Sequence, residues 1–129
     1  MPLVFEEVHA ASEPKKVNEE WFVLSNQSAA PVSTSGLAVI VSRPGKRGSI
    51  MGHIDPGFML QPGEKILIVT GIPGKKSQGE PPTREGLRTY HLMQREGLVK
   101  GTGTVIRFAL NQVDVAKVTY DAKAANGVG

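Results

Sequence analysis

The sequence predicts a single all-β sandwich domain, and three observations predict it. The chain has 129 residues, 40% of them hydrophobic, enough for one domain with a real core and no need of metals or disulfides. Its 15 glycines and 9 prolines demand many sharp turns, which suit short strands better than long helices. Short runs of β-branched and aromatic residues recur between those turns, with no sustained helical period.

Taken in order, residues 10–18 read as a polar lead-in. Trp21 to Leu24 is an aromatic and β-branched run closed by Ser25-Asn26-Gln27-Ser28, which reads as a strand and a turn. Leu37 to Val41 follows Ser35-Gly36 and ends at Arg43-Pro44-Gly45, a strong turn signal. Phe58-Met59-Leu60 is stopped by Pro62-Gly63. Ile66 to Val69 is apolar at every position, as a central strand covered on both faces would be, and Gly71 ends it. Ile72 to Gly103 is rich in proline and glycine, with a short strand or helical turn at Leu87 to Met93. Val105 to Leu110 alternates: Ile106, Phe108 and Leu110 face one way and Arg107 the other. Asn111-Gln112 then breaks the run before Val113 to Tyr120, giving a hairpin whose turn lacks glycine. Residues 1–120 form the domain, and the small, polar residues 121–129 are expected to be a flexible tail.

These strands predict a core of Trp21 or Phe22, Val23 or Leu24, the Leu37–Val41 run, Ile66, Ile68, Ile106, Phe108 and Val118, shared between two sheets. Function is left to the loops, where a rigid sandwich can present it.

Cysteine is absent, which excludes a disulfide framework, a thiolate metal site and a cysteine nucleophile. The first residues carry Glu6 and Glu7 instead of a basic start and an apolar run. The longest apolar runs, such as Leu37 to Val41 and Ile66 to Val69, are far short of the ~20 residues a spanning helix needs. The expectation is a cytoplasmic protein without membrane contact.

Net charge is +3, unevenly placed. Residues 1–20 hold Glu6, Glu7, Glu13, Glu19 and Glu20 against Lys15 and Lys16. The bases concentrate in the Gly/Pro-rich segments: Arg43, Lys46 and Arg47 in one turn, then Lys75, Lys76, Arg84, Arg88, Arg95 and Lys100. Of these, Arg43, Lys46, Arg47, Lys75, Lys76 and Arg84 are the candidate contacts for nucleic acid or an acidic partner.

No catalytic or cofactor motif survives inspection. Gly71-Ile72-Pro73-Gly74-Lys75-Lys76-Ser77 follows a strand as a phosphate loop should, but it has two residues between its glycines where four are needed. Lys76 also separates Lys75 from Ser77, and Pro73 removes an amide. As a GxxG it leaves a strand and does not join two helices, so it reads as a turn. His9, His53 with Asp55, and His91 lack the short paired spacing of metal ligands. No Gly-x-Ser-x-Gly elbow exists, and the adjacent acids of Glu6-Glu7 and Glu19-Glu20 would point to opposite faces of a strand. The sequence therefore predicts no enzyme and no cofactor.

Asn18-Glu19-Glu20-Trp21, Asn26, Pro31-Val32 and Ser35-Gly36-Leu37, then Leu60-x-Pro62-Gly63-Glu64 and Val69-Thr70-Gly71, keep a distinctive order. Val113-Asp114 and Val118-Thr119-Tyr120 close the series. Across residues 3 to 120 this pattern resembles the lamin tail domain family. The sequence departs from that family at Thr34, where leucine is usual, at Leu37, where tryptophan is frequent, and at the glycine-free turn Asn111-Gln112. Its 72–103 segment is also longer and more basic. The resemblance implies an immunoglobulin-like β-sandwich of about seven to nine short strands. It also implies a structural module engaged in protein–protein interaction, with DNA binding in some members. It transfers no functional residue, and the chain has no heptad rod for a filament. The expected partner is a protein, with self-association through a sheet edge and DNA binding through the basic loops as the alternatives.

Overall fold

Ten strands appear where turn signals and β-branched runs alternate in the computed structural model, which describes residues 1–129. They are β1 (Leu3–His9), β2 (Trp21–Asn26), β3 (Val32–Ser33), β4 (Ala38–Ser42), β5 (Ser49–His53), β6 (Met59–Leu60), β7 (Lys65–Val69), β8 (Arg88–His91), β9 (Val105–Leu110) and β10 (Val113–Thr119). The helical content is two 3-10 turns, Val17–Glu19 and Lys76–Gln78, and no helix is long and apolar enough to cross a membrane. One sheet has the order β1-β2-β7-β8, the other β10-β9-β4-β5, and β3 pairs with β6 in a small ribbon. The expected all-β sandwich is the observed architecture.

The layer between the sheets is filled by alternate residues of each strand, as period-2 side-chain placement requires. Phe5, Phe22, Leu24, Ile66 and Ile68 face Val39, Ile106, Phe108, Ala116 and Val118, all buried in one cluster. Phe5 is the hinge of this packing. Its ring meets Phe22 edge-on at 5.9 Å and Phe108 at 5.1 Å, the geometry that aromatic quadrupoles prefer.

Sheet β1-β2-β7-β8 is covered on its outer face as well. The chain leaves β7, crosses over, and returns as β8 parallel to β7. Leu87 of that crossover packs on Val23, Leu67 and Val69, with Trp21 beside them. This explains why Ile66 to Val69 is apolar at every position. Arg84 fixes the crossover: it donates to both Glu7 carboxylate oxygens at 3.1 and 2.9 Å and lies 4.8 Å from the centre of the Trp21 ring. The other face of that ring's neighbourhood is filled by His9, stacked on Trp21 at 4.9 Å.

One expected element and one departure from the sequence reading have physical causes. The glycine-free hairpin forms with both turn residues at positive φ, 49° at Asn111 and 69° at Gln112, as a type I′ turn requires. Residues 121–129, expected as a flexible tail, fold back on the sandwich instead. Val8 N–H donates to Asn126 C=O at 2.9 Å, the Asn126 amide donates to Glu6 C=O at 3.1 Å, and Val128 bridges Tyr120. Gly127, at φ 77°, sits under the Val8 carbonyl where a Cβ has no room. Thr34 is buried because its hydroxyl bonds both ways with Phe58, donating to the carbonyl at 3.1 Å and accepting from the amide at 2.9 Å.

Candidate functional site: a basic end of the sandwich

Strand register decides which loops meet. Ser42 lies opposite Val105, and Val105 opposite Thr119, so the β4–β5 turn, the start of β9 and the end of β10 share one end of their sheet. In the other sheet His9, Trp21, Val69 and His91 are aligned across four strands. The two sheet ends coincide, since the Glu20 carboxylate just before β2 accepts from the amides of Leu98 and Val99 in the β8–β9 loop. Gly103 of that loop also lies against Pro44.

This end gathers Lys15 and Lys16, Arg43, Lys46 and Arg47, Lys75 and Lys76, and Arg95 and Lys100, nine of the fifteen bases. All but the half-buried Lys16 are exposed. The acids here are Glu13, Glu19, Glu96, Asp121 and the buried Glu20. The molecule's ion pairs lie elsewhere: Lys65 with Glu6 at 3.0 Å, Arg84 with Glu7 at 2.9 Å, Arg88 with Glu64 at 2.8 Å and Arg107 with Asp114 at 3.0 Å. None of the nine bases is in an ion pair.

Two open hollows shape the surface. One, of about 350 Å³, is lined by Arg43, Lys46, Arg47 and Lys100 over a floor that includes Val41, Gly97 and Leu98. The second, of about 310 Å³, is lined by Lys15, Lys75, Gln78 and Arg95. Glu96 belongs to both walls and separates them.

Of the residues singled out from sequence, Arg43, Lys46 and Arg47 share the first hollow, Lys75 lies in the second, and Lys76 opens the neighbouring 3-10 turn. Arg84 is set apart, committed to Glu7 and Trp21 on the outer sheet face. Lys15, Lys16, Arg95 and Lys100 join the end without having been singled out. Their loops are far apart in sequence, and only the strand register brings them together.

The Gly71–Gly74 turn is closed internally. Ile72 N–H donates to Gln78 Oε1 at 2.7 Å, and the Asn18 amide donates to Ile72 C=O at 2.9 Å. Asn18 Oδ1 and Gln78 Oε1 press on Gly71, so a side chain there would collide with both. His53 closes β5 opposite Ala38, at the far end, whereas His91 closes β8 at the basic end. No group of three histidine or acidic side chains is placed to hold a metal ion. Every aromatic residue is buried or half-buried, so the basic end offers charge without an open stacking platform.

No protein-family model matches this sequence, and neither does any curated protein.

Proposed function

We propose that this domain is a non-catalytic binding module whose basic end engages the phosphate backbone of a nucleic acid, DNA in the first instance. One observation carries the reading: nine unpaired bases converge on one end, whereas four of the six bases elsewhere are held in ion pairs. Nine bases against five acids leave this end with an excess of positive charge, and a polyanion relieves the repulsion among the bases while releasing its own counterions. With no exposed aromatic side chain to read bases, the contact is with phosphates and is indifferent to sequence. The test is a titration of duplex DNA at several salt concentrations. If five phosphates are neutralised, log K falls against log salt with a slope of about −4.5. Replacing Arg43, Lys46 and Arg47 together by alanine makes the slope shallower by about three. No binding at low salt, or binding that ignores salt, would sink the reading.

A second reading is a protein partner added at a sheet edge, consistent with a lamin-tail-type module. It is favoured by β5, an outermost strand on which Ile50 is 61% and Met51 38% exposed. The strand orders support an immunoglobulin-like assignment: β10-β9-β4-β5 follows the G-F-C-C′ order of variable-type domains, and β1-β2-β7 follows A-B-E. The parallel β8 has no counterpart in that scheme. Ile50→Lys, which places charge on the edge, abolishes partner capture or self-association under this reading and leaves DNA binding intact.

A further inference from the structure

Glu20 is 1% exposed, yet it is a carboxylate. Its Oε1 accepts from the Thr70 hydroxyl at 2.7 Å and from Leu98 N–H at 2.8 Å, and its Oε2 accepts from Val99 N–H at 3.2 Å. Gly97 is buried against it, and a Cβ there would come within 3.0 Å of Oε2. Leu98 meanwhile inserts its side chain into the main core. The tripeptide 97–99 is thus fastened from both sides. Arg95 and Glu96 emerge just before it and Lys100 just after: Lys100 lines the first hollow, Arg95 the second, and Glu96 the wall between them.

We propose that Glu20 is the positioning residue of the basic end: its carboxylate anchors the Leu98 and Val99 amides and thereby sets Arg95 and Lys100 for phosphate contact. The inference rests on the polyanion-binding reading above. It turns an apparent contradiction into a prediction, since a negative charge inside a cationic site ought to weaken anion binding. Removing that charge would tighten binding if charge alone mattered, and loosens it if Glu20 acts by placing the loop. The titratable groups facing Glu20 are Lys100 from the β8–β9 loop, Glu13 from the lead-in to the Val17–Glu19 turn, and Tyr120 after β10. Burial pushes the Glu20 carboxyl above its ordinary value, against the opposing effect of the Leu98, Thr70 and Val99 hydrogen bonds and of Lys100.

Glu20→Gln keeps the shape and removes the charge, but its amide nitrogen opposes Val99 N–H. Duplex DNA affinity at fixed salt is expected to fall about fivefold to tenfold in this variant. Glu13→Gln, which removes the same charge from an exposed site at the same end, leaves affinity equal or higher. Affinity of the wild-type chain falls as pH drops through the Glu20 pKa, whereas titration of exposed carboxylates alone would raise it. In the free wild-type protein, the Leu98 and Val99 amide resonances shift together over that same pH range. Wild-type protein that binds DNA, with Glu20→Gln binding as well or better, overturns the positioning role and leaves the polyanion reading standing. Wild-type protein that fails to bind overturns both. Should Glu20→Gln not fold, the wild-type pH profile decides: amides that stay fixed, or an affinity that rises steadily on acidification, defeat the proposal.

Discussion

At the far end of the sandwich the buried amide of Asn26 donates to Ala30 and Leu60 carbonyls at 2.8 and 2.9 Å and accepts from Ser28. Arg88 there pairs with Glu64. At the basic end nine bases stand exposed or half-exposed with no ion pair between them. The same strands supply both ends, so the difference lies in the loops and not in what the core demands. Lys46 or Lys75 can change without disturbing a packed side chain, because both are exposed and neither is hydrogen-bonded through its side chain. The charge is therefore an addition to the fold, and its concentration is what gives one end a binding character that the other lacks.

The comparison assumes one rigid core holding the ends apart, and the largest effect comes from breaking that core. Phe108→Ala removes the ring that Phe5 meets at 5.1 Å and is expected to cost about 3–5 kcal/mol in urea unfolding. A loss below about 1 kcal/mol would mean that the aromatic contact is not central to the packing. A smaller change sharpens the far end. Gln112 is held at φ 69°, a conformation that costs an L-residue with a Cβ about 1 kcal/mol. Gln112→Gly is expected to stabilise by about that amount, and Asn111→Gly by less, because asparagine tolerates this region better. The smallest effect reads the basic end directly. Raising salt screens repulsion among the exposed unpaired bases more than it weakens the four pairs, each of which has at least one half-buried partner. The unfolding free energy should therefore rise by a few tenths of a kcal/mol, about the scale of single surface interactions. In Lys46→Glu combined with Lys75→Glu that rise shrinks. A wild-type protein destabilised by salt would contradict the contrast between the ends.

Much of the core was legible because burial imposes a period on the chain. Ile106 and Phe108 flank Arg107, Val118 lies between Lys117 and Thr119, and the unbroken Ile66 to Val69 announces a strand buried on both faces. Strand β5 was not legible: Ser49–His53 is exposed at all positions but Gly52, so no apolar alternation marks it. Strand β1 was obscured by Glu6 and Glu7, whose partners Lys65 and Arg84 lie far along the chain. The docking of residues 121–129 depends on one glycine beneath a carbonyl, a signal too small to separate from an ordinary flexible end. The bases of the candidate site could be read as loop residues. Their convergence, and the removal of Arg84 from the set, required the register of strands to be known.

The single tryptophan, held between the crossover arginine and the His9 imidazole, also makes the covered sheet face visible to emission spectroscopy. Loss of the crossover would expose the indole to water and shift its emission to the red. The two cationic hollows themselves contain no indole, although Trp21 directly follows Glu20 at the same end. A ligand that disturbs the Glu20 anchor should therefore change Trp21 emission, and one that only occupies the hollows should not.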